Sequence, residues 1–204
     1  SSHCGAIGLY TRQIARAGMI GFSFTHSDAL VVPAGGKRPF FGTNPISISF
    51  PANNNDEPVC LDMATSIVPW NYMMNAKREK KRVPYGLGVD KNGDDSEDSE
   101  NIIAVKPLAD YKGYALAFMI DLLCGPLNNM NYGPNMTSMY RDIDKKRKLG
   151  SLVFAIDAMP NTSRAPKRPA AWPVAALSTL TVWSGSSSAI HKPSSTPSRR
   201  VKWT

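Results

Sequence analysis

Apolar positions along the chain fall into a short series of periodic segments. Residues 6–17 place Ile7, Tyr10, Ile14 and Ala17 at helical spacing, and Gly18 follows as a stop, so the pattern predicts a helix. Residues 19–25 predict a short buried strand directly after it. Residues 46–50, Ile-Ser-Ile-Ser-Phe, alternate strictly and predict a half-buried strand; residues 59–63 predict another. Ser66 is placed to cap a helix from Ile67 towards Lys81, with Pro69 tolerated in its first turn. Residues 114–123 are almost continuously apolar and predict a helix closed by Gly125-Pro126, and residues 152–156 predict one more strand. Between these lie a loop at 26–45 rich in Pro and Gly, a polar turn at 51–56, and a long loop at 82–110 with a turn signal at Lys91-Asn92-Gly93. Strands alternating with helices predict an α/β layered fold, and no internal repeat is visible.

Composition changes this picture mainly at the C-terminal end. A chain of 204 residues with 42% hydrophobic and 20% charged residues can build one sizeable core. Seven of the 24 basic residues and none of the 16 acidic ones lie after Asp157, so the net charge of +8 belongs to the tail and the rest is near neutral. That distribution argues against a nucleic-acid-binding face. Residues 158–204 read as a basic, Pro/Ser-rich tail, poorly ordered or non-native, with a short apolar element at 174–183. No apolar stretch approaches the ~18 residues of a membrane span. Cys4, Cys60 and Cys124 are odd in number and far apart; they give no disulfide framework and no metal spacing, and favour a reducing, cytoplasmic setting.

Candidate chemistry begins at His3, in Ser2-His3-Cys4-Gly5-Ala6, where an imidazole able to take and return a proton lies among glycines just ahead of a helix. Alone, such a histidine is more often a satisfied turn or core residue. Pro33-Ala34-Gly35-Gly36-Lys37 and Gly42-Thr43-Asn44-Pro45 let a ligand approach the backbone, and Lys37 offers a charge to an anion. Asp62-Met63-Ala64-Thr65 ends a predicted strand, a place where α/β sheets bind ligands, and reads equally as a capped junction. Lys112-Gly113 at a helix start is unfavourable for local stability, since the cation opposes the macrodipole and glycine is a poor helix former. An anionic ligand, met by the lysine and free backbone N–H groups, would account for the pair. Rossmann, P-loop, nucleophile-elbow and His-Glu-x-x-His motifs are all absent.

These segments, together with Leu108-Ala109-Asp110-Tyr111-Lys112-Gly113-Tyr114 and Ser138-Met139-Tyr140, resemble in order the malate/L-lactate dehydrogenase family, which is not of Rossmann type. The stretch through Ser27-Asp28, Val31-Val32-Pro33 and Ser138-Met139-Tyr140 is most similar to ureidoglycolate dehydrogenases. The resemblance implies a three-layer α/β/α fold with a mixed sheet, NAD or NADP as cofactor, a small 2-hydroxy or 2-oxo acid as substrate, and a homodimer. It carries His3 onto the catalytic acid/base. Ser27, Asp62, Met63, Ala64 and Lys112 fall on cofactor-contacting positions, and Thr43 and Asn44 on the lining of the site. Residues 1–157 would form the NAD(P)-binding core, with no metal.

Family members carry a His- and Arg-containing segment ahead of the equivalent of His3 that holds the substrate carboxylate. This chain starts too late to include it and lacks an initiator Met, so the expectation is a truncated protein whose own N-terminus is missing. The acid-free tail suits a shifted reading frame or a fusion. Two other readings stand beside the oxidoreductase: a non-catalytic cofactor-binding or assembly subunit of the same fold, and a module that binds acidic partners through the tail.

Overall fold

In the computed structural model, which describes residues 3–52 and 56–157, helix α1 (Gly8–Arg16) leads into strand β1 (Met19–Thr25). Strands β2 (Ile46–Phe50) and β3 (Val59–Met63) follow, then helix α2 (Trp70–Arg78) and a short ladder of β4 (Gly88–Val89) with β5 (Ala104–Val105). Helix α3 (Tyr111–Cys124) and strand β6 (Ser151–Asp157) complete the described chain. The main sheet has the order β3-β2-β1-β6. All three of its pairings are antiparallel; among the described residues parallel pairing is confined to a single bridge, Val31 with Val105.

The two faces of β1 explain the layering. Met19, Gly21, Ser23 and Thr25 point one way and are buried. A Cβ on Gly21 would come within 2.8 Å of the Thr11 carbonyl oxygen and 2.9 Å of Ile14 Cβ, so α1 lies on this face at a distance only glycine permits. On the other face Phe24, Ile46 and Phe154 pack against Ile120, Cys124 and Leu152, and Phe22 stacks on Phe154 with centroids 4.6 Å apart. The sheet is thus sandwiched between α1 and α3, the three-layer α/β/α arrangement.

The alternation in β2 has the predicted period, but the buried face is the serine face. Ser47 and Ser49 are fully buried under α1, while Ile46 and Ile48 are half-buried. The serines are stable there because Thr11 Oγ1 lies 2.7 Å from Ser47 Oγ and accepts from Ser49 Oγ at 2.8 Å, and Ser47 donates to the Leu61 carbonyl. Close approach of α1 leaves room for hydroxyls rather than branched chains.

Two expectations are corrected in the second half. Ser66 is not the cap of α2: its hydroxyl donates to the Val68 carbonyl, and Pro69 (φ −63°, ψ 146°) holds the N-cap position, so the helix starts at Trp70. Within the expected loop 82–110, β4 and β5 pair and close a separate apolar cluster. Met73, Ile102 and Val105 are fully buried there beside Leu30, Val31 and Trp70. Each such side chain contributes about 1.5–3 kcal/mol. The basic run at 77–82 and the acidic run at 94–100 meet at this cluster, with Arg82 paired to Glu97 and Lys77 Nζ donating to the Ile102 carbonyl at 2.6 Å.

Among the described residues no helix is long and apolar enough to cross a membrane. The tail and its expected element at 174–183 lie outside the described residues.

Candidate functional site

A cleft opens where the loop after β1, the segment before α1 and the segment before β6 meet. His3, Ser27 and Thr43 line it, together with Cys4, Tyr140 and Arg147. The Gly5 amide donates to His3 Nδ1 at 2.8 Å, which places the proton of the neutral ring on Nε2. Gly5 has φ +72°, and this left-handed turn folds its amide back onto the imidazole.

Ser27 Oγ accepts the Thr43 amide at 3.1 Å, and the Thr43 carbonyl in turn accepts both the amide and the hydroxyl of Thr65, at 2.9 and 3.0 Å. Asn44 does not line the cleft. It is fully buried, with φ +29°, and works as a brace: its Oδ1 accepts the Ser27 amide, and its Nδ2 donates to the Ala117 carbonyl and to Asp121 Oδ1.

Asp62, Met63, Ala64 and Lys112 are likewise not among the residues lining this cleft. The Leu108 amide donates to the Thr65 carbonyl at 2.9 Å, and a Cβ on Gly113 would fall 2.7 Å from the same oxygen. The start of α3, with exposed Lys112, is thereby pressed against the end of β3. Gly113 is explained by this contact. The amides of Lys112, Gly113 and Tyr114 are not free: Ala109 (φ 47°) and Asp110 (φ 54°) turn the chain so that those amides bond to the carbonyls of Ala109, Leu108 and Asp110. Anion attraction here rests on the Lys112 charge, and no acidic residue in the first turn opposes it.

Asp62 caps α1 across the fold, its Oδ2 accepting the Gly8 amide at 2.9 Å. Asp62→Ala is expected to cost about 1 kcal/mol, read as a lower urea midpoint with unchanged slope.

Three functional-site neighbours have no motif. Asp121 is completely buried in α3 and accepts from Asn44 and from the Gly133 amide. His26 accepts the Gly150 amide at Nε2, leaving Nδ1 3.7 Å from Asp121 Oδ1. Arg147 pairs with Asp28 inside the cleft wall. An acid interrupting the apolar run 114–124 was the one sequence signal for any of them. Burial pushes the Cys4 thiol up, and burial together with the nearby Asp28 charge pushes up the Tyr140 phenol. Burial pushes Cys124 up to about 12.

Residues 1–170 match a family model described as malate/L-lactate dehydrogenase. Over 155 residues the chain is 40% identical to the ureidoglycolate dehydrogenase (NAD(+)) of Escherichia coli strain K12, covering 76% of this chain and 44% of that protein. It is 37% identical over 159 residues to the malate/(S)-sulfolactate dehydrogenase of Methanothermus fervidus, covering 77% and 46%. The crystal structure of a dehydrogenase from Sinorhizobium meliloti superposes with a TM-score of 0.73 at 34% identity, covering 80% of this chain and 48% of that one. The chain spans less than half the length of these relatives.

Proposed function

Since the chain belongs to the malate/L-lactate dehydrogenase family, we propose that it is an NAD(P)-dependent oxidoreductase of small 2-hydroxy acids, or the cofactor-binding part of one. The segments around Ser27-Asp28 and Ser138-Met139-Tyr140 favour ureidoglycolate among those acids. The observation that supports the reading most is that His3, Ser27 and Thr43 line one cleft.

The residues present fit a dinucleotide. Exposed Lys112 stands at the start of α3, which meets the chain just after β3 at the Thr65 carbonyl, and the Thr43-Thr65-Leu108 hydrogen bonds run from there to Ser27. Lys112 would neutralise its phosphate charge, and Ser27, Asp62, Met63 and Ala64 would contact it. When bound, the nicotinamide supplies hydride acceptance or donation. The His3 imidazole takes the hydroxyl proton during oxidation and returns it during reduction. Thr43 lines the substrate side, and Asn44 holds Ser27 from beneath. Residues 1–157 form this core, and the protein acts as a cytoplasmic homodimer.

Titration with NADH and NADPH by fluorescence, followed by a panel of 2-hydroxy acids, tests the reading; a folded protein that binds neither cofactor would overturn it. Lys112→Ala is expected to weaken NADH binding by up to roughly fivefold, the ~1 kcal/mol at the upper end for one exposed ion pair with a phosphate.

A second reading, a cofactor-binding subunit without turnover, draws on the Gly5 amide occupying Nδ1 of His3. Cofactor binding with no turnover on the panel would select it.

A further inference from the structure

Arg147 lies outside every motif described above, yet its side chain is only 6% exposed and that of its partner Asp28 only 4%. Arg147 Nη2 donates to Asp28 Oδ1 at 3.0 Å, and its Nε donates to the Thr137 carbonyl at 3.1 Å. The second oxygen of the same carboxylate, Oδ2, accepts the Met139 amide at 3.3 Å. One side chain from the loop after β1 therefore grips residues 137–147 at two places. Within that segment the Ser138 amide donates to Asp142 Oδ2 and the Tyr140 amide to Ser138 Oγ, which keeps the loop folded on itself. Met139 and Tyr140, which this arrangement displays, line the cleft that contains His3. A buried ion pair adds little net stability over an apolar pair of the same shape, whereas its fork geometry specifies one arrangement of the groups it joins.

We propose that Asp28 and Arg147 are positioning residues: they latch residues 137–147 in place so that Met139 and Tyr140 form the substrate-facing wall of the His3 cleft. The substrate-facing role rests on the function proposed above; the latch itself does not.

Cys4 supplies a reporter, because it lines the cleft and is half-buried, whereas Cys124, at the C-terminal end of α3, is completely buried. In the full chain carrying Cys60→Ser, alkylation by iodoacetamide is followed at each cysteine by peptide mass spectrometry. Arg147→Met is expected to speed alkylation of Cys4 roughly tenfold while Cys124 stays protected, as local opening requires. Arg147→Lys, which keeps the charge, should speed it by less than about threefold. Asp28→Asn keeps the shape of the latch without its charge and is scored in the same way, should Arg147→Met fail to fold. An unchanged Cys4 rate in a folded variant overturns the latch. So does a parallel rise at Cys4 and Cys124, which reports unfolding of the whole domain. The readout needs neither cofactor nor substrate, so failure of the proposed hydride chemistry and failure of the latch give different results.

Discussion

His3→Ala is expected to lower kcat by roughly 10²–10⁴-fold in any preparation that turns over a 2-hydroxy acid with NAD(P). The melting temperature and NADH affinity should stay at the wild-type values. The separation follows from where the residue sits. His3 is exposed, precedes α1, and bonds the Gly5 amide two residues along the chain, so its loss leaves every buried cluster intact. His3→Gln keeps polar contacts but cannot carry a proton, and should fall as far as the alanine variant. A glutamine variant retaining a third or more of the activity would remove His3 from the proton transfer.

Gly113→Ala is expected to destabilise the protein by about 2–3 kcal/mol, although alanine is the better helix former by ~1 kcal/mol. The new Cβ would stand 2.2 Å from the Leu108 carbonyl oxygen, 2.6 Å from its nitrogen and 2.7 Å from the Thr65 carbonyl oxygen. All three are backbone atoms, so relief requires the start of α3 to retreat from the end of β3. Lys112 retreats with it, and NADH affinity should drop alongside the urea midpoint. A neutral or stabilising result would show that helix propensity governs the position and that the close approach is unimportant.

The predicted elements were legible wherever apolar spacing was long enough to carry a period. α1, β1, β2 and β3 follow from pattern alone, as does most of α3. β4 and β5, at two residues each, have no period to read; they exist because Val89, Ala104 and Val105 are buried on tertiary contacts. The start of α2 was misplaced because Ser66 looks like a cap, and only the extended ψ of Pro69 shows where the helix begins. In β2 the period was visible and the buried face was not, since burial of serine depends on the hydroxyl of Thr11 arriving from α1.

The site divides in the same way. Local sequence pointed to His3 and to the Gly42-Thr43-Asn44 loop, whereas Ser27 was reached only through the family resemblance. The Lys112-Gly113 pair was noticed for its local cost, but the steric reason for the glycine needed the Thr65 and Leu108 carbonyls in place. Asp28 and Arg147 are 119 residues apart; Arg147 carries no signal, and the place of Asp28 in the family resemblance does not reveal its partner until the fold brings them into contact.

β1 stands between β2 and β6, and Ser151 of β6 reaches Thr25 across 126 residues of chain. One side of the central strand thus remains without its partner for most of synthesis. At roughly 5–20 residues per second the nascent chain carries that bare edge, with Phe22 lacking its stacking partner Phe154, for about 6–25 s. Such an edge templates pairing with other chains. Slower elongation through residues 26–150 lengthens the exposure of β1 in direct proportion, and with it the time in which this edge can pair with another chain.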